Sequence, residues 1–162
     1  MKRGEVIILA VIGVSVLIGA GLKTLSMSKD TQPDRGIPFY STAAKEQESQ
    51  ALLLMRKLDC RRCHAYGGLK NIMQSVPAPA LDGIGSIREE SWFYKYFSAE
   101  NPQAVLPSRL KKEFQMPSYA GLDESDRRLL AMYMDSLKVE DWYLEQARKS
   151  EHEKLTGTPY QP

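Results

Sequence analysis

The chain has 162 residues, a formal net charge of +2 and a mean hydropathy of −0.38. That length provides one modest domain and some additional segments. Residues 1–30 hold four basic and two acidic side chains, leaving 18 of each in residues 31–162, a balance that excludes the basic footprint of a nucleic-acid binder and predicts no strong steering of a partner by net charge.

Residues 6–22 form an uncharged apolar run of 17 residues behind Lys2 and Arg3. The run is at the short limit for a membrane-spanning helix and longer than a usual signal-peptide core. Neither a small-residue cleavage site nor a lipid-accepting cysteine follows it. Residues 1–25 therefore read as a retained single-pass transmembrane anchor in the cytoplasmic membrane. Its N-terminus would lie in the cytoplasm and the rest of the chain on the periplasmic side. Residues 26–42 are polar, with Pro33, Gly36 and Pro38, and read as a linker. A flexible linker of that length has a root-mean-square span of ~20–25 Å, which would keep the following domain near the membrane.

Residues 43–59 predict a helix, with Ala51, Leu54, Met55 and Leu58 on one face at 3/4 spacing. The helix leads into Cys60-Arg61-Arg62-Cys63-His64. This pattern reads as the attachment site of one covalent haem c: two cysteines three apart can form thioethers to the porphyrin, and the next residue, histidine, can bind the iron. Three other readings compete. A redox dithiol would follow a strand, and no Val/Ile-rich strand precedes Cys60. A zinc site would need four ligands, and Cys60, Cys63, His64 and His152 are the only cysteines and histidines in the chain. A plain disulfide staple is also possible in an exported chain.

Residues 65–85 are rich in Gly and Pro and read as a loop. Ser86-Ile87-Arg88-Glu89 fits a capping box opening a short aromatic helix with Trp92, Phe93, Tyr94, Tyr96 and Phe97. Residues 98–122 read as loop with a helical turn near 108–114. Asp123 reads as the N-cap of a helix over 124–138, with Leu130, Tyr133 and Leu137 on one face. Residues 139–155 are polar and helix-prone, and the chain ends in an extended segment. No alternating strand pattern of any length is present.

Taken in order, these features resemble class I monohaem cytochromes c over residues 44–138. A helix precedes the haem motif, and Pro77-Ala78-Pro79-Ala80-Leu81 follows it. Gln115-Met116-Pro117-Ser118-Tyr119 is similar to the distal-ligand loop, and a helix with Tyr133 at mid-length comes last. Ala51 stands near where the family usually has a helix-crossing glycine, and Ala78 stands where it has a glycine before the proline. The resemblance implies an all-α fold wrapped on one haem. It also implies His64 and Met116 as the axial iron ligands, with a carbonyl of Pro79 or Pro77 accepting from the His64 ring. On the residues alone, Met73, Met132 and Met134 are alternative sulfurs. Trp92, Tyr96 and Phe97 could wall the haem or be ordinary core, and His152 is expected at the surface.

The organisation expected is an anchor at 1–25, a linker at 26–42, a cytochrome c domain at 43–138 and a C-terminal extension at 139–162. The expected function is non-enzymatic: single-electron transfer between redox partners at the outer face of the membrane, as a subunit of a respiratory complex. A tethered shuttle, or a haem with an open distal position for peroxide or a diatomic gas, is the alternative. The extension, with Trp142, Tyr143 and Tyr160, reads as a segment laid on a neighbouring subunit.

Overall fold

The computed structural model describes Ser15, residues 36–68, Val76 and residues 78–161. Residues 38–162 form one compact unit. The apolar run at 6–22 lies outside the described residues except for Ser15. Among the described residues no helix is long and apolar enough to cross a membrane.

Among the described residues this unit has five α-helices: α1 (Lys45–Lys57), α2 (Glu90–Ser98), α3 (Pro102–Val105), α4 (Glu124–Ser136) and α5 (Asp141–Thr156). Helix α1 has Glu46 and Glu48 in its first turn and Arg56 and Lys57 in its last, as the helix dipole favours. Its apolar stripe buries Ala51, Leu54 and Met55. Helix α4 packs against both α1 and α2 and contributes Leu130, Ala131, Tyr133 and Met134 to the shared core, where α2 adds Phe93 and Phe97. Fully burying a Leu, Met or Phe side chain contributes about 1.5–3 kcal/mol, so this three-helix seam carries much of the stability.

The fold departs from an all-α one in a small antiparallel sheet. Strand β1 (Phe39–Ser41) pairs with β2 (Leu137–Val139), Phe39 opposite Val139 and Ser41 opposite Leu137. Residues 39–41, read from the sequence as linker, thus belong to the folded unit. Helix α4 ends at Ser136, and β2 runs through the boundary expected at 138/139. Two three-residue strands carry no usable alternation, so tertiary pairing alone makes them visible.

The capping box does not form. Ser86 lies in a 3₁₀ turn (Ile84–Ser86), and its hydroxyl accepts from the Val139 amide at 3.0 Å. Glu89 is the N-cap of α2, without a side-chain cap bond. The buried end of β2 has taken the hydroxyl that the local motif would have used. Asp123 is the N-cap of α4, again with no side-chain bond. Helix α3, read from the sequence as loop, has a capping asparagine: Asn101 accepts from the Gln103 amide at 3.2 Å, and Pro102 follows at the first helical position.

The extension packs on its own domain. Tyr143 of α5 meets Phe39 edge-on with ring centroids 5.4 Å apart, and Glu151 pairs with Arg88. Arg88 in turn lies 4.5 Å over the Trp92 ring. The segment expected to lie on a neighbour is thus held by its own chain. His152 is half-buried, with its ring against Tyr160 and Nε2 3.4 Å from the Thr158 hydroxyl.

Candidate haem site

The site is built where α1 stops. Asp59, just past the helix, takes a left-handed conformation (φ 57°, ψ 34°). Aspartate tolerates that region better than most non-glycine residues, although it still costs on the order of 1 kcal/mol. The chain thereby turns out of α1 into a 3₁₀ turn at Cys60–Arg62. The Cys63 and His64 amides both donate to the Cys60 carbonyl, at 3.2 and 2.9 Å, which clusters the two cysteines and the histidine in one tight turn.

A second segment fixes the histidine. The His64 Nδ1 donates to the Pro79 carbonyl at 2.8 Å, leaving Nε2 as the ring nitrogen free to ligate. The Leu81 amide donates to the Ala65 carbonyl at 2.9 Å. The Asp82 carboxylate accepts from the Gly67 amide at 2.7 Å and the Gly68 amide at 3.2 Å. Four hydrogen bonds therefore join 64–68 to 79–82. Burial lowers the His64 pKa, opposed by the Pro79 bond, which favours the neutral ring that metal ligation requires.

Cys60, Cys63, His64 and Met116 all line one cavity of about 310 Å³. Its walls are mainly apolar and aromatic, with Trp92, Tyr96, Phe97 and Tyr119 among them. Trp92 stacks on Tyr96 at 5.1 Å, and Phe97 meets Tyr119 at 6.2 Å. The Cys60 thiol is pushed up to about 11, chiefly by burial, against a hydrogen bond with Tyr119 that acts the other way. An un-ionised thiol in an apolar wall resists stray oxidation before the thioether forms.

Met116 enters from a loop that polar side chains hold in place. Gln103 of α3 donates to the Met116 carbonyl at 2.9 Å, Gln115 donates to the Leu110 carbonyl at 2.8 Å, and Ser118 donates to the Ala99 carbonyl at 2.9 Å. Of the alternative sulfurs, Met134 also lines the cavity but is packed in the core from α4. Met132 does not line it, and Met73 lies outside the described residues. The sequence reading placed Tyr119 only within the distal-ligand segment and missed Gln103 and Asp82 as contributors to the site. The Asp82-Gly83 turn signal and the Asn101-Pro102 helix start were the available clues to the last two.

The donor set fits a covalently held haem. Two thiols and an imidazole with one nitrogen engaged come from a single turn and face an apolar, aromatic cavity that could take a flat macrocycle. No curated protein and no solved structure matches the chain at a significant level. The cytochrome c family model matches residues 50–138, a span running from the middle of α1 into β2 and enclosing every element that builds this cavity except α5. Cys60 and Cys63 fit the haem-attachment motif, and the chain belongs to the cytochrome c family, whose domain binds a covalent haem c.

Proposed function

We propose that this chain is a membrane-anchored carrier of single electrons whose haem iron is held by His64 and Met116. The observation that carries this reading is that Met116, on a loop far from the haem motif in sequence, lines the same cavity as Cys60, Cys63 and His64. Haem c supplies a one-electron couple. His64 offers Nε2 because Pro79 occupies Nδ1, and Gln103 braces the loop that presents the Met116 thioether. A soft, neutral thioether favours the reduced metal and so raises the potential relative to a second imidazole. With His64 and Met116 both holding the iron there would be no vacancy for substrate, and the apolar, aromatic lining would disfavour water, which favours electron transfer over catalysis.

The uncharged run at 6–22 supports anchoring, with the haem domain on the outer, periplasmic face of the cytoplasmic membrane. The folded unit begins at Pro38, which shortens the tether and supports a fixed place beside a membrane partner, as in a subunit of a respiratory electron-transfer complex. Residues 139–161 no longer argue for that place, because they pack on their own domain.

Optical spectra of the oxidised protein test the ligand assignment, with Met116→Ala and Met134→Leu as variants. The weak sulfur-to-iron charge-transfer band should be present in the wild type and in Met134→Leu and lost in Met116→Ala. Carbon monoxide should bind only the reduced Met116→Ala protein. A band lost in Met134→Leu instead would reassign the sulfur. Ready binding of carbon monoxide to the wild type would replace electron transfer with a ligand-binding haem.

A further inference from the structure

Helix α5 lies beyond the segment that matches the family, yet Glu151, Lys154 and Leu155 line the haem cavity. Arg109 reaches the same rim from the loop that follows α3. Its guanidinium lies against Gly157, the left-handed residue that ends α5, so close that a Cβ there would sit 3.0 Å from Nε. A cation at the C-terminal end of a helix is favourably placed against the helix dipole. Arg109 and Lys154 therefore converge on one stretch of rim from two separate segments.

The other charges on the rim are largely engaged. Arg88 pairs with Glu151 and stacks on Trp92, and Arg62 lies 3.9 Å from Asp59. Glu113 is the remaining carboxylate. Arg109 and Lys154 make no ion pair among the described residues. Two cations facing an apolar cavity suit an anionic ligand, and haem c brings two carboxylates that need cations or donors where water is excluded.

We propose that Lys154 and Arg109 form a cationic subsite for the carboxylates of the haem, which makes the C-terminal helix a working wall of the cofactor site. Their positive charge disfavours the more positive, oxidised state of the cofactor, so removing it lowers the reduction potential.

The test is a spectroelectrochemical titration of the holoprotein and its Lys154→Gln, Lys154→Glu, Lys154→Arg and Arg109→Gln variants. Lys149→Gln, an exposed change on the same helix that does not line the cavity, is the control. At a fixed ambient potential the oxidised-to-reduced ratio should rise by roughly two- to fivefold in Lys154→Gln and Arg109→Gln and further in Lys154→Glu. Lys154→Arg and Lys149→Gln should match the wild type. If Arg109→Gln yields no holoprotein, the Lys154 series still decides. Wild-type potentials throughout would overturn the proposal. So would an unchanged potential with slower oxidation by ferricyanide, which would make these cations a steering patch for anionic partners.

Discussion

The segment matched to the cytochrome c family and the extension beyond it are held in opposite ways. In the matched segment, α1, α2 and α4 share one apolar core, in which Met55 and Ala131 are wholly buried and Leu130 is 2 % exposed. Helix α5 buries no residue completely. It is fastened by Arg88–Glu151, by the Phe39–Tyr143 edge contact and by the strand pair that precedes it. Non-directional burial makes the core, whereas a few specific contacts dock the tail. The core should therefore fail globally and the tail locally.

The largest break in that contrast is expected in the core. Leu130→Ala removes a buried side chain at the meeting of three helices and should cost about 2–5 kcal/mol in denaturant unfolding of the holoprotein. The size depends on how far α1 and α2 relax into the space. A loss under about 1 kcal/mol would mean that the haem, rather than the helix seam, supports the fold.

A smaller effect, confined to the tail, is expected at the fastening. Arg88 and Glu151 are only 17 % and 11 % exposed at their side chains, between the surface and buried extremes of ion-pair energetics. A double-mutant cycle of Arg88→Met and Glu151→Gln should give a coupling of about 1–2 kcal/mol. Amide exchange in Glu151→Gln should accelerate across α5 by roughly tenfold while α1 and α4 keep their protection. Equal acceleration in all three helices would show that tail and core open as one unit.

The smallest effect belongs to Glu124 and Arg128, an exposed pair one turn apart on α4. Arg128 lowers the Glu124 carboxyl below its ordinary value. A depressed carboxyl stabilises the fold above its unfolded pKa, and that contribution is lost as the pH falls through the folded value. Glu124→Gln should thus match the wild type in thermal unfolding at neutral pH within a degree or so, because exposed pairs are worth little. Any difference should vanish at acid pH and in high salt. A difference that grew on acidification would reverse the sign and assign the pair another role.

The parts of the molecule that were legible in the sequence are those with local causes. The stripe of Ala51, Leu54 and Met55 produced α1 within two residues of its expected ends, and Cys60-x-x-Cys63-His64 announced the cofactor. What escaped depends on contacts across the chain. Ser86 has the right spacing for a capping box, but the Val139 amide arrives from more than fifty residues away and takes the hydroxyl. Gly85 reads as one more loop glycine, yet a Cβ there would overlap the Asp135 carbonyl, so the position admits only glycine without a backbone shift. Helix α5 looks polar enough to stand free, because its attachments are single side chains rather than a stripe. In the site, Met116 was suggested by resemblance, whereas the roles of Gln103 and Asp82 follow from hydrogen bonds that no sequence spacing encodes.

The pairing of β1 with β2 also governs how mechanical load would travel through the protein. The Glu140 amide donates to the Pro38 carbonyl at 2.8 Å, and the Thr42 amide to the Ser136 carbonyl at 3.0 Å, so one end of β1 is tied to the start of α5 and the other to the end of α4. A pull on the chain ahead of Pro38 would be resisted first by these strands and next by the α1–α4 seam. The turn at 60–64 and the loop at 115–119 lie off that line. His64 and Met116 would keep their geometry under such a load, and the strand pair would act as a strain relief for the haem cavity.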